Sequence, residues 1–326
     1  MTKQNALVLV SDLNYLERTK QVFYAAHRYG NWEGDYVLLA CDIPHQELQW
    51  FRDRGIEILA PEAVIGRKVN GWPEVIFHKF FLLHPMMKKW NKIVYLDTDV
   101  IILRDINKFL KFNTFAACVE NGGLNLRGQL LPDAAHTENG RMLIKELGNA
   151  YNLNATAFNV GAMVFNTAQN SMELFENAKE LLFKYEKILK LPEQALFNML
   201  FYRKWKKINQ VYNDYFFYKI DDIKSHYHLK LVKSHSRVLH FIGPIKPWSK
   251  DCFYYDLWME NKASADGFPN IAQIGDKPGA ITNVQRSLIR FGMKCKMYIG
   301  HFSWLAGQKL QSFSPPAYVF FKRFLP

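Results

Sequence analysis

The stretch NKIVYLDTDVIILRD, residues 91–105, sets two carboxylates, Asp97 and Asp99, one residue apart inside an otherwise apolar run. Burying one carboxylate is costly, and burying two together adds repulsion between like charges. At a strand end facing a cleft, such a pair can hold a divalent cation through its oxygens, with a phosphate partner completing the shell. Two surface carboxylates capping a strand are the plain alternative. A second stretch, LHFIGPIKPW at 239–248, carries His240, Gly243 and Lys246 at steps of three. Imidazole suits a transition metal, which favours Mn²⁺ over Mg²⁺. Glycine lets backbone approach a diphosphate closely, and lysine supplies a point charge to it. Alone, His240 would more often be a packing histidine; beside the two aspartates it is a ligand candidate.

The elements around these residues alternate. NALVLVS (5–11), DYVLLACD (35–42), IEILA (56–60), KIVYLD (92–97) and FAACVE (115–120) are short apolar runs bounded by polar or turn residues, and read as buried strands. Between them YLERTKQVFYAAHRYG, HQELQWFRDRG and PEVIFHKFFLLHPMMKKW have helical spacing. This order predicts an α/β fold with a mainly parallel sheet flanked by helices, its ligands binding beyond the carboxyl ends of the strands. Asp97 and Asp99 fall at such an end. Further on, NGGLNLRGQLLPDAAHTENG reads as a polar loop, FNVGAMVFN (158–166) and SRVLHFIG (236–243) as strands, and SMELFENAKELLFKYEKIL and PEQALFNMLFYRKW as helices. Haloacid-dehalogenase phosphatases also carry an Asp-x-Asp, but on their first strand and with Thr or Val where this chain has Ile101, so that reading weakens.

The chain has 326 residues and a net charge of +12, which raises the question of an anionic partner. From Lys277 onward there are eight basic residues and no acidic one, so the excess belongs to the tail. ASADGFPNIAQIGDKPGAI (263–281) reads as a linker. Beyond it Val284, Leu288, Phe291, Cys295 and Tyr298 recur at helical spacing, with Arg286, Arg290 and Lys294 on another side. Aromatics follow between basic residues, a pattern suited to a helix lying on an anionic membrane. A helix packed on the domain with a solvated basic face is the alternative. Nucleic acid is a weaker partner, since no nucleic-acid fold motif accompanies the charge. The expected organisation is a domain over residues 1–262 and a linker plus basic, aromatic extension over 263–326. Four scattered cysteines form no metal-type spacing and predict a reducing compartment. No run is long and apolar enough for a signal peptide or a spanning helix, so a cytoplasmic location, peripheral on the inner face of a membrane, is expected.

Asp97-Thr98-Asp99, FNVGAMVFN, PEQALFN and HFIGPIKPW occur in that order. Together they resemble the retaining glycosyltransferases of family 8, the glycogenin and lipopolysaccharide galactosyltransferase type, over roughly residues 5–250. The resemblance implies a GT-A fold, a UDP-sugar donor and Mn²⁺, with Mg²⁺ as the substitute. It implies that Asp97, Asp99 and His240 hold the metal, that Asp97 and Thr98 lie by the nucleotide, and that Gly243 and Lys246 bind the diphosphate. Val10, Ser11 and Tyr15 match the family's first strand and turn, where Tyr stacks on uracil. Lys79 matches a basic residue contacting donor and metal-bound Asp, and Asn159 and Gly161 match an Asn-x-Gly beside the sugar.

The chain departs from the family at Glu193-Gln194, where Asp-Gln is usual. The Asp grips sugar hydroxyls and the Gln faces the anomeric carbon, so the longer Glu193 bears on sugar identity. An ordinary helix start after Pro192 would also favour an acidic residue there. The resemblance implies transfer of a hexose, glucose or galactose, with retention, and same-face attack because Gln194 is a poor nucleophile. The expected acceptor is a saccharide or glycolipid, such as lipopolysaccharide or a lipid-linked glycan. A glycogenin-like self-glucosylating primer and a non-catalytic nucleotide-sugar or membrane-binding scaffold are the alternatives. A nucleotidyltransferase would need a glycine-rich N-terminal loop that is not present. The sequence is silent on oligomeric state.

Overall fold

The computed structural model describes residues 4–120, 125–217, 236–271 and 283–314. Ten strands and seven α-helices are named among them: β1 Ala6–Ser11, α1 Leu16–Arg28, β2 Asp35–Ala40, α2 Gln49–Asp53, β3 Glu57–Leu59, β4 Lys92–Leu96, β5 Val100–Ile102, β6 Ala116–Val119, α3 Glu138–Ala150, β7 Phe158–Asn166, α4 Met172–Tyr185, α5 Pro192–Leu200, β8 Lys206–Ile208, β9 Asp214–Tyr215, β10 Val238–His240, α6 Tyr255–Ser264 and α7 Asn283–Phe313.

Seven strands form the main sheet in the order β3-β2-β1-β4-β7-β6-β8. β1, β2, β3 and β4 are parallel neighbours, while β7 runs antiparallel to both β4 and β6. β1, ALVLVS, is buried at every residue, as expected of a strand with helices packed on both faces. Its side chains alternate between two cores. Ala6, Val8 and Val10 join the cluster containing Phe80, Phe158 and Phe197, and Leu7 and Leu9 join the one containing Phe23, Phe51 and Val94. This is a layered α/β fold of the kind expected.

A second sheet, β5-β10-β9, is what the sequence pattern did not anticipate. β5 leaves the main sheet immediately after Asp99 and pairs antiparallel with β10, with Val100 opposite His240. A separate core of Ile101, Phe216, Leu239, Phe241, Tyr254 and Trp258 lies under it. β8 and β9 are short, three and two residues, and carry too little periodicity to be read as strands.

Three further differences have physical causes. PEVIFHKFFLL is not an α-helix but a 3-10 helix, Glu74–Leu83, entered at Pro73 and followed at once by a second 3-10 helix begun by Pro85. Its run from Phe77 to Leu83 is buried, so packing rather than propensity decides its winding. The polar stretch read as a loop ends in α3, whose N-cap Thr137 accepts a hydrogen bond from the Gly140 amide. The segment read as a linker is docked over its first part. Phe268 is buried against Trp50, Tyr36 and His27, and Asp266 accepts from the Trp50 indole. A large aromatic outweighs the Ala-Gly-Pro composition there. Residues 272–282, the rest of that segment, lie outside the described residues.

α7 runs unbroken for 31 residues. Tyr298 packs against the core under the small sheet, whereas Val284, Leu288, Phe291, Ile299, Phe302 and Leu305 are exposed. The side chains of Arg286, Arg290 and Lys294 are outside the described residues. No described helix is long and apolar enough to cross a membrane.

Candidate functional site

Asp97, Thr98 and Asp99 bridge the two sheets. They occupy the carboxyl end of β4, and the chain enters β5 at the next residue. The bridge is held from both sides. The Asp97 amide donates to the Gly161 carbonyl on β7, and the Phe241 amide donates to the Asp99 carbonyl just past β10. Because β10 ends at His240 opposite Val100, the small sheet carries the imidazole to the aspartates. His240 Nε2 lies 3.2 Å from Asp99 Oδ1 and 3.6 Å from Asp97 Oδ2. One ligand atom from each of Asp97, Asp99 and His240 falls within 4.8 Å of the others. Two carboxylates and an imidazole nitrogen fit a divalent transition metal.

Two lysines balance the carboxylates. Lys79, almost wholly buried on its 3-10 helix, sits 2.9 Å from Asp97 and 3.5 Å from Glu193. Burial opposes its charge, but Asp97 and Glu193 outweigh that and hold the Lys79 pKa above the ordinary value. Lys246 Nζ lies 2.7 Å from Asp99 Oδ2 and also donates to the Phe241 carbonyl. Burial works against ionisation of Asp99, yet His240 and Lys246 together hold its carboxyl well below the usual range. For Glu193 the balance tips the other way: burial raises its pKa, Lys79 opposes, and Asp97 adds to the rise. Tyr95, buried on β4, donates its hydroxyl to Asp97.

These groups face a cavity of about 520 Å³. Val10, Ser11 and Tyr15 line it from the end of β1 and the turn beyond, and Thr98, Asn159, Glu193, Gln194 and Lys246 line it as well. Tyr15 stands at the rim, where the Arg18 guanidinium lies 4.1 Å over its ring and 4.2 Å over that of Trp248. Gly243 and Gly161 are not among the lining residues. Gly161 sits beneath the His240 ring, where a Cβ would fall 2.3 Å from His240 Cε1. Gly243 backs onto Phe217, 3.1 Å from where its Cβ would stand.

Asn159 reaches the site because the β6–β7 ladder slips. Ala117 faces Met163, but the next residue, Cys118, faces Asn159. Such irregularities re-aim side chains beside active sites. Glu193 and Gln194 come from the first turn of α5, whose residues from Pro192 to Met199 are all buried. A helix buried all round must bond its polar side chains internally. Gln194 does so with Asn159 and Glu120, and Asn198 with the backbone of Phe158. Glu193 Oε2 is buried with no hydrogen-bond partner among the described residues.

Sequence reasoning missed Glu120 and Asn213. Glu120 lines the cavity and accepts from Asn159, Gln194 and Tyr215. Its signal was present: like KIVYLD, the run FAACVE closes an apolar strand with an acid. Asn213, fully buried, joins Asn159 to His240 and had no such signal, since it precedes a two-residue strand.

The solved structures similar to this chain share its fold at low identity. The bifunctional glycosyltransferase WbbM, in its apo form, is 17% identical with a TM-score of 0.58, covering 82% of this chain and 52% of that one. The galactosyltransferase LgtC, in complex with donor and acceptor sugar analogues, is 18% identical with a TM-score of 0.54, covering 79% and 95%. The glycosyltransferase GlyE of Streptococcus pneumoniae TIGR4 is 17% identical with a TM-score of 0.53, covering 81% and 63%. This chain thus spans about half the length of WbbM and nearly all of LgtC. The shared architecture is GT-A. No curated protein matches the chain significantly. The sequence profile described as glycosyl transferase family 8 matches residues 57–252, more than half of the chain and including the aspartate pair, α5 and His240. The chain belongs to glycosyl transferase family 8 and is a glycosyltransferase.

Proposed function

We propose that the protein is a metal-dependent, retaining transferase that moves a hexose, glucose or galactose, from a UDP-sugar to a saccharide or glycolipid acceptor. The observation that carries this reading is the convergence of Asp97, Asp99 and His240 beside Lys246 at one cavity. Asp97, Asp99 and His240 would hold the metal, Mn²⁺ in preference to Mg²⁺ because an imidazole belongs to the set. When bound there, a divalent cation supplies a Lewis acid to the donor's diphosphate.

The chain's own residues do the rest. Lys246 leaves Asp99 for the departing diphosphate and stabilises the charge that develops on it. Lys79, 2.9 Å from Asp97, offsets the like charge of Asp99 and holds Asp97 in place. Glu193 Oε2, without a hydrogen-bond partner among the described residues, accepts from a sugar hydroxyl, which removes the cost of a buried lone acceptor. Gln194 is an amide whose oxygen already accepts from Asn159. It is poorly suited to attack the anomeric carbon, which favours attack by the acceptor from the leaving-group face.

The exposed apolar residues of α7 support a peripheral location on the inner, cytoplasmic face of a membrane, where a glycolipid acceptor would be met. On this reading residues 1–262 form the transferase domain, with the packed residues up to Ile271 belonging to it, and α7 forms the membrane-facing extension.

Isothermal titration of UDP tests the donor site, with Mn²⁺, with EDTA, and in Asp99→Asn. Binding that requires both the metal and Asp99 is expected, followed by metal-dependent hydrolysis of UDP-glucose or UDP-galactose. UDP binding indifferent to both would overturn the assignment.

A further inference from the structure

The hydrogen bonds behind the site form a chain whose direction is determined at one end. The Gly161 backbone amide can only donate, and it points at the Asn159 side chain from 2.8 Å. The Asn159 atom it meets is therefore the oxygen, Oδ1. The other end of the same amide lies 3.1 Å from the Glu120 carboxylate, an acceptor, and so must be the NH₂. Two independent contacts agree on the orientation of Asn159.

The direction then propagates. Asn213 approaches Asn159 Oδ1 at 2.8 Å, and only its NH₂ can do so favourably. Its own Oδ1 must accordingly be the atom 2.8 Å from His240 Nδ1. A carbonyl oxygen accepts and cannot donate, so Nδ1 must carry a proton. The imidazole's second nitrogen, Nε2, is the one turned toward Asp97 and Asp99.

We infer that Asn213 is a positioning residue that keeps His240 protonated on Nδ1, leaving Nε2 as the nitrogen available to a cation. The usefulness of that state rests on the proposed metal role of His240. The protonation pattern itself rests only on hydrogen-bond direction. Metal-binding histidines generally need such a partner, because the free ring can place its proton on either nitrogen. Here the partner is a neutral amide with no exposure to solvent, and its orientation traces back to a main-chain N–H at a position where only glycine fits under the ring.

The same direction runs toward α5. The second hydrogen of the Asn159 NH₂ meets Gln194 Oε1 at 3.0 Å, which turns Gln194 Nε2 to Glu120 at 3.1 Å. One backbone amide thus sets the orientation of three side-chain amides and one imidazole.

The test has two readouts. In protein labelled with ¹⁵N-histidine and free of metal, the His240 Nδ1–H should give a ring cross-peak protected from solvent exchange, assigned by its loss in His240→Gln. Asn213→Leu should lose that protection. It should also weaken Mn²⁺ binding in the presence of UDP roughly ten- to hundredfold, read from the EPR signal of free Mn²⁺. Asn213→Asp keeps an acceptor facing Nδ1 but sets its second oxygen against Asn159 Oδ1, so it should restore the protected Nδ1–H and only part of the Mn²⁺ affinity. A bare Nδ1 in the wild type overturns the inference, and that result needs no variant to fold. Unchanged Mn²⁺ affinity in a folded Asn213→Leu overturns it too. A protected Nδ1–H in a wild-type protein that binds no Mn²⁺ upholds the inference and sinks the metal reading instead.

Discussion

Lys246 and Asp99 are paired at 2.7 Å, although one is proposed to bind the diphosphate and the other the metal. In the protein alone the ammonium does for Asp99 what a cation would do. It competes with a cation for the charge of Asp99, and a cation bound there frees it to meet phosphate. Lys246→Met is expected to tighten Mn²⁺ binding severalfold without nucleotide. It should weaken UDP binding in the presence of Mn²⁺ by about tenfold or more, the worth of one charge-assisted hydrogen bond. Titrations of Mn²⁺ alone and of UDP with Mn²⁺ check both halves, and a loss of Mn²⁺ affinity without UDP would refute the competition.

The same pair predicts how stability responds to acid. The Asp99 carboxyl is held below its ordinary range, with burial outweighed by His240 and Lys246. Its contribution is therefore fully present above the unfolded-state pKa and is lost as pH falls toward the lowered folded value. Asp99→Asn should be less stable than wild type near pH 6, and the gap should narrow toward about pH 3, as read by urea denaturation at each pH. A gap that widens on acidification would contradict the assigned pairing.

Glu193 offers a way to separate sugar from nucleotide recognition. Its Oε2 is buried with no hydrogen-bond partner among the described residues, and Glu193→Asp withdraws it by about one methylene. The KM for the UDP-sugar should rise about tenfold, the cost of a buried hydrogen bond of roughly 1.5 kcal/mol, while UDP itself binds as before. The ratio between UDP-glucose and UDP-galactose should change as well. Equal effects on UDP and UDP-sugar would place Glu193 away from the sugar.

Lys79 is nearly wholly buried and holds Asp97 and Glu193 at once. Lys79→Met leaves two carboxylates without their compensating charge, which should cost about 3–5 kcal/mol in stability. Addition of Mn²⁺ with UDP should recover part of it, since a cation replaces the lost charge at Asp97. Thermal melts with and without Mn²⁺ and UDP measure this, and an undiminished deficit would argue against a cation beside Asp97.

α7 should separate membrane binding from donor binding. Leu288→Glu with Phe302→Glu places acids among its exposed apolar residues. Sedimentation with phosphatidylglycerol vesicles should fall to the level seen with neutral phosphatidylcholine, while UDP binding is unchanged. Retained binding to the anionic vesicles would rule out this face as the contact.

Much of this protein follows from local pattern. An apolar run of five or six residues ended by an acid or a turn is a buried strand almost wherever it lies, so β1, β2, β4 and β7 could be read from the chain. Asp97 and Asp99 could be placed at a strand end for the same reason. Chemistry made His240 and Lys246 conspicuous because few residue types hold metals or anchor phosphates. Tertiary structure alone decided how they meet. β5 and β9 have three and two residues, too few to show a period, yet they form the sheet that brings His240 to within 3.2 Å of Asp99. The pairing of Lys246 with Asp99, and the run of hydrogen bonds from Gly161 through Asn159 and Asn213 to His240, join residues far apart in the chain. Residue identity determined what each group can donate, accept or ligate. Only the fold decided which partner stands within reach, because hydrogen bonds and ion pairs act over a few ångströms and sequence spacing sets no such distance between strands.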